Sequence, residues 1–170
     1  MKASLTALAV CAFLLVALPL QAKTTLTSRE TAFMTEAAQG GLAEVSMGSV
    51  AEKQAETAEV KQFGQRMVKD HTSVNNKLMA LAQKKGVNLP KEPSAKQKKK
   101  EMDLAKMKGM EFDRAYMKEM VTDHTKDVQA FRKASKDSKD ADLKRFAADA
   151  LPFLEEHLRL AKDLSKRLKK

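Results

Sequence analysis

Tryptophan is absent from the sequence, and tyrosine and cysteine occur once each. Each scarcity closes off a class of function. Bases of single-stranded nucleic acid stack on exposed aromatics. None are grouped here, so no nucleic-acid partner is expected in spite of a net charge of +10. The lone thiol, Cys11, lies inside an N-terminal apolar run that reads as a targeting segment. The remaining chain has no thiol and must be held by packing alone. There is no Gly-rich phosphate loop. Thr72 and Thr125 directly follow His71 and His124, so on a helix they point elsewhere, and no nucleophile–base pair forms. Runs of β-branched residues are few, while Ala, Leu, Met, Lys, Glu and Gln dominate, all good helix formers.

The targeting segment has Lys2 as a short positive start, Leu5 to Leu20 as a nearly unbroken apolar stretch, and Pro19-Leu20-Gln21-Ala22 at its end. This is the layout of a secretory signal peptide over 1–22, cleaved near Ala22, with the periplasm as destination. The stretch is short for a membrane span and no second one follows; the alternative is an uncleaved N-terminal anchor. Residues 23–170 are then one domain, long enough to bury a core. For an exported basic chain, anionic envelope lipid or polysaccharide is the fitting macromolecular partner. The lysine-rich loop from Lys91 to Lys100 and the tail Lys166 to Lys170 are the segments to contact it. The plainer reading of both is a solvated surface.

Four long helices are legible. Thr27-Ser28-Arg29-Glu30 has capping-box form, and Phe33, Ala37, Gly40, Glu44, Met47 and Ala51 recur at steps of three and four over 28–54. A turn near Ala55 to Thr57 precedes a second stripe of Val60, Phe63, Met67, His71, Val74, Leu78 and Leu81, which ends at Gly86. Ser94 and Gln97 cap a short basic helix carrying Lys98, Lys99 and Lys100, and Gly109 separates it from a third stripe. That stripe is Phe112, Tyr116, Met117, Met120, His124, Val128 and Phe131. After a polar turn at Ser135 to Asp140 comes Leu143, Phe146, Ala150, Phe153, His157, Ala161 and Leu164. Short joins make antiparallel pairs, and the long central connection can cross from one pair to the other. The expected fold is all-α, a ferritin-like antiparallel four-helix bundle with an extra short helix in the long connection. A plain up-down bundle is the alternative. Pro152 either kinks the last helix or marks where it starts again.

The three histidines fall one per helix, each on an apolar stripe, and two sit in a repeated fragment. The fragment reads Met67-Val68-Lys69-Asp70-His71-Thr72 and Met120-Val121-Thr122-Asp123-His124-Thr125. The first helix has Glu44 at the matching position. All four lie near mid-helix, so antiparallel packing brings Glu44, His71, His124 and His157 within about one helical turn of each other. One carboxylate with three imidazoles is a ligand set for a single ion such as zinc, copper, iron or nickel. Asp70, Asp123 and Glu156 can orient the rings from behind. Met67 and Met120, one turn before a histidine each, would suit Cu(I), or are core packing. A second reading of the same four residues is a metal-free polar layer that fixes helix register. A third is a centre that activates a metal-bound water.

The run Phe63 to His71, then Phe112-Asp113-Arg114-Ala115-Tyr116-Met117 leading to Asp123-His124, then Leu151-Pro152 leading to His157, resembles a bacterial family of unknown function. It is found in exported periplasmic and outer-membrane proteins and grouped with ferritin-like folds. The resemblance spans about 30–165 and implies that bundle and that setting, with no catalytic residues to carry over. Val68, Val121 and Leu154 stand three before the histidines, so no Glu-x-x-His is present and a di-iron ferroxidase centre is not expected. The leading expectation is metal handling or stress protection rather than turnover. The rival is a metal-free envelope interaction protein.

Overall fold

The computed structural model describes residues 25–169. The expected signal peptide, its cleavage at Ala22 and Cys11 lie outside them. Five helices make up the described chain: α1 (Ser28–Gln54), α2 (Ala58–Lys85), α3 (Ala95–Lys106), α4 (Gly109–Asp137) and α5 (Ala141–Arg167). No strand occurs among the described residues. None of their helices is long and apolar enough to cross a membrane.

Local chemistry sets the helix ends. Thr27 and Glu30 close a capping box on α1, and Ser94 and Gln97 close another on α3. Thr57 and Asp140 cap α2 and α5 with side-chain oxygens that accept from the third backbone N–H. Gly86 ends α2 at φ 72°, a left-handed conformation that glycine adopts without steric cost. α5 runs through Pro152 without ending or restarting there.

The helix contacts fix the topology. α1 packs along α2 and α4 along α5; between the pairs, α1 neighbours α4 and α2 neighbours α5. Glu30, at the start of α1, meets Lys139 and Asp140 beyond the end of α4, while Thr57, beyond the end of α1, meets Asp113 near the start of α4. Lys85, at the end of α2, pairs with Asp140 and Asp142 at the start of α5. Each neighbouring pair is therefore antiparallel. The chain between α2 and α4 must travel the length of the bundle, and α3, lying on α1 and α4, is part of that crossover. This single long crossover is the connectivity of ferritin-like folds. The backbones of α1 and α2 meet closely at Gly48 and Gly64. A Cβ on Gly48 would stand 2.9 Å from the Gly64 carbonyl oxygen, and one on Gly64 would stand 2.7 Å from that of Gly48. Only glycine lets the two backbones approach this closely.

The apolar interior comes in two separate clusters. One holds Met47, Phe63, Met67, Phe112, Tyr116, Met117 and Met120; the other holds Met34, Leu78, Phe131, Leu143, Phe146 and Leu154. On α2, α4 and α5 the boundary between them falls at His71, His124 and His157, and on α1 it falls between Ala38 and Ala43, beside Glu44. A polar layer thus cuts the core across its whole width.

Candidate metal centre

Each bundle helix contributes one member of the layer. Glu44, His71, His124 and His157 are 3%, 3%, 0% and 1% exposed, so their polar atoms are withdrawn from bulk water. The imidazole centroids stand 5.4, 5.3 and 5.4 Å apart, a nearly equilateral triangle. One ring nitrogen from each lies within 4.8 Å of the others.

Each ring is fixed by a partner on one of its nitrogens. His71 Nδ1 lies 3.0 Å from Glu44 Oε2, His124 Nδ1 lies 3.0 Å from the Met120 carbonyl oxygen, and His157 Nε2 lies 2.9 Å from Asp70 Oδ2. The Met120 carbonyl can only accept, so His124 Nδ1 carries the proton and Nε2 keeps a lone pair. The same logic with Asp70 as carboxylate leaves the lone pair of His157 on Nδ1. That atom is buried and has no hydrogen-bond partner. The remaining nitrogens of His71 and His124 lie 3.4 Å from one another. Two nitrogens each about 2.1 Å from one tetrahedral ion stand about 3.4 Å apart.

Burial holds all three imidazoles neutral. His71 is pushed well below the usual histidine range by desolvation and then by the other two rings. His124 is pushed down to about 3 by desolvation and His157. His157 is lowered by desolvation even though Asp70 pulls it upward. The carboxyls move the other way. Glu44 is raised well above its ordinary value by desolvation and then by Asp127 and Asp123, and Asp127 is raised to about 7 by desolvation and Asp123.

Of the three acidic neighbours expected behind the rings, only Asp70 touches one. Asp123 pairs with Lys100 at 3.5 Å, and Glu156 pairs with Arg159 at 2.8 Å. Asp127 completes a second acidic group with Glu44 and His124. The stripe reading passed over it, although it lies one turn beyond His124. Met67 and Met120 are fully buried within the methionine-rich cluster. Four of the five lysines of α3 are engaged with acids: Lys98 with Glu92, Lys99 and Lys106 with Asp103, and Lys100 with Glu119 and Asp123.

No curated protein matches the chain. Several solved structures share its fold. The DUF305 fragment from Deinococcus radiodurans superposes with a TM-score of 0.74 at 12% identity, covering 85% of this chain and 99% of that one. A DUF305 protein from Streptomyces coelicolor, provisionally described as secreted, gives 0.70 at 14% identity, with 84% and 94% covered. CopM in its Cu(II)-bound form gives 0.66 at 14% identity, with 81% and 96% covered. Identities this low establish likeness of fold alone. Residues 16–164 match the family described as domain of unknown function DUF4142, and the chain belongs to that family.

Proposed function

We propose that the protein binds a single transition-metal ion through the inward nitrogens of His71, His124 and His157, as a metal-handling or stress-protection protein of the periplasm. The observation that carries this reading is His157 Nδ1, a buried ring nitrogen with no partner, on a ring whose centroid stands 5.3 and 5.4 Å from two more imidazoles. Neutral imidazole suits zinc, copper, iron and nickel. Copper is tested first because CopM, of the same fold, is a Cu(II)-bound protein. Glu44, expected from the sequence as a fourth ligand, faces the outer nitrogens of His71 and His124. Its role in this reading is to hold the His71 ring and fix its tautomer. Three nitrogen ligands leave a coordination position open, and we read it as the place for exchange of the ion rather than for turnover.

The metal-free reading gives Glu44 its carboxyl proton. Glu44 then donates to His71 Nδ1, and His71 Nε2–H donates to His124 Nε2. This accounts for two rings and leaves His157 Nδ1 unsatisfied, which a buried polar layer built for structure should not do.

The deciding measurement is metal content. Protein purified from a periplasmic extract without tag or chelator should carry close to one equivalent of metal. A His71→Ala/His124→Ala variant should carry none, and the Cu(II)-loaded wild type should show imidazole nitrogen coupling in its electron paramagnetic resonance spectrum. Glu44→Gln should retain the ion with affinity lowered about 10–100-fold. Wild-type protein that neither retains nor takes up metal, with variants that merely melt earlier, would make the histidines a structural layer.

A further inference from the structure

A cleft of about 460 Å³ lies between α1, α3 and α4. Glu44 and Asp127 form part of its wall, together with Asp123, Lys100 and Lys126. Lys126 is exposed and Glu44 fully buried, so the cleft leads from the surface to the Glu44 carboxylate. That carboxylate also touches His71, so one side chain separates the cleft from the imidazole triangle. Its second oxygen, Oε1, stands 3.4 Å from His124 Nδ1 and is buried without a hydrogen-bond partner, and one oxygen of the same carboxylate lies within 4.8 Å of an Asp127 oxygen. A carboxylate with a desolvated, unpartnered oxygen, standing beside a second carboxylate, is the position that a cation fills. The other approach to the triangle, the seam between α2 and α5, is obstructed. Asp70 there is covered by Arg66, whose guanidinium stands 3.4 Å from Asp70 and 3.9 Å from Glu156.

We propose that the cleft is the loading port of the histidine centre: an incoming divalent cation is held first by Asp127 and Glu44 and is passed from there to the imidazoles. The proposal rests on the metal-binding reading above. Passage inward takes Glu44 off His71 Nδ1, which makes Glu44 the gate. Lys100, tied to Glu119 and Asp123, is the positive charge that the cation meets on the way in.

The test mixes metal-free full-length protein with cobalt(II) chloride in a stopped-flow instrument and follows the visible absorption of imidazole-bound cobalt. Asp127→Asn should slow loading roughly tenfold at low ionic strength, and added salt should narrow the difference. Lys100→Gln should speed it severalfold, and the final spectrum of both should be that of the wild type. Loading of Asp127→Asn at the wild-type rate overturns the port. So does acceleration by Arg66→Gln with none by Lys100→Gln, which puts entry at the α2–α5 seam. Should Asp127→Asn fail to fold, Lys100→Gln decides alone, since the Lys100 side chain is part-exposed at the cleft and not part of the apolar core. Absence of the cobalt band in the wild type sinks the metal-binding reading itself; a normal band with unchanged rates sinks only the port.

Discussion

On one side of the polar layer the interior is filled by Met47, Met67, Met117 and Met120 around Phe63, Phe112 and Tyr116. On the other it is filled by Leu78, Leu143 and Leu154 with Phe131 and Phe146, and Met34 is the only methionine of that cluster. The ends of the two halves are built alike. The α1–α2 turn closing the methionine-rich half is clamped by Asp113 of α4, which accepts from Glu56 N at 2.9 Å, Thr57 N at 2.9 Å and Thr57 Oγ1 at 2.7 Å. The α4–α5 turn closing the other half is clamped by Glu30 of α1, which accepts from Lys139 N at 2.8 Å and Asp140 N at 3.1 Å. The two ends are thus clamped alike while the two fillings differ, so the methionines are not part of what closes a turn. The flexible, polarisable side chains are concentrated on one side of the site.

The comparison is broken most completely by removing the layer. The combined Glu44→Leu/His71→Leu/His124→Leu/His157→Leu variant joins the halves into one apolar core and should bind no metal. Replacing a buried polar set with packed apolar residues of similar volume is commonly neutral or stabilising by about 1–4 kcal/mol. The metal-free variant should therefore melt at or above the metal-free wild type. Acid should separate the two further. In the wild type His71 and His124 stay neutral well below the usual range and His157 is lowered as well, while the unfolded chain protonates all three below about pH 6.5. Their contribution to stability is thus lost as pH falls. Glu44 and Asp127, raised in the native state, act with the opposite sign: their contribution is present at low pH and lost as pH rises through their folded values, about 7 for Asp127. Three histidines outnumber two carboxyls, so between about pH 6.5 and 4.5 this set should destabilise the wild type on acidification. The variant keeps only Asp127 of the set and should move the other way relative to it. Melting curves across this range check the sign. A variant that unfolds at neutral pH would show that the layer ties the halves together instead of dividing them.

The helices were legible because their ends carry their own chemistry. The Thr27–Glu30 and Ser94–Gln97 boxes, Thr57, Asp140 and Gly86 act within a few residues, and reading them requires no knowledge of the fold. The shared depth of Glu44, His71, His124 and His157 was legible for a related reason, since antiparallel helices of similar length bring their midpoints level. The direction of each ring was not. Asp70, Asp123 and Glu156 all precede a histidine by one residue, yet Asp70 reaches across to His157 of another helix. Asp123 and Glu156 instead turn to Lys100 and Arg159. Sequence spacing fixes a face, not a rotamer or a cross-helix partner. The clamps were missed for a different cause. Asp113 shares the stripe of Tyr116, Met117 and Met120, and its position on a buried face was the available signal. A carboxylate among apolar residues has no meaning until the backbone N–H groups it serves are known.

A smaller effect sharpens the likeness of the two ends. Hydrogen bonds to a charged group contribute about 1.5–3 kcal/mol, so Asp113→Ala and Glu30→Ala should each cost about 2 kcal/mol in denaturant unfolding. Burial pushes the Glu30 carboxyl upward, but hydrogen bonds from Thr27, Asp140 and Lys139 outweigh it and hold the group below its ordinary value. Its contribution is therefore present above the unfolded value of 4.5 and lost as pH falls through the lower folded one. Glu30→Gln should accordingly lose part of the acid sensitivity that the wild type shows below pH 4.5. A cost at Glu30 far below that at Asp113 would mean that the methionine-rich end alone is locked.

The smallest expected change bears on why the methionines stand where they do. Met67 and Met120 precede His71 and His124 by one turn, on the side of the layer that faces their own cluster. Exchanging both for leucine conserves volume, and such swaps usually cost less than about 1.5 kcal/mol. If the sulfurs only fill space, the Met67→Leu/Met120→Leu variant should keep the wild-type affinity for Cu(II) and for Cu(I), measured by competition with a chromogenic chelator of each. Thioether is a soft ligand, so participation should appear for Cu(I) and not for Cu(II). A selective fall of tenfold or more in Cu(I) affinity would extend the site from the imidazole triangle into the methionine-rich half. The unequal filling of the two halves would then be a property of the metal site. Equal retention of both oxidation states would leave that inequality to packing.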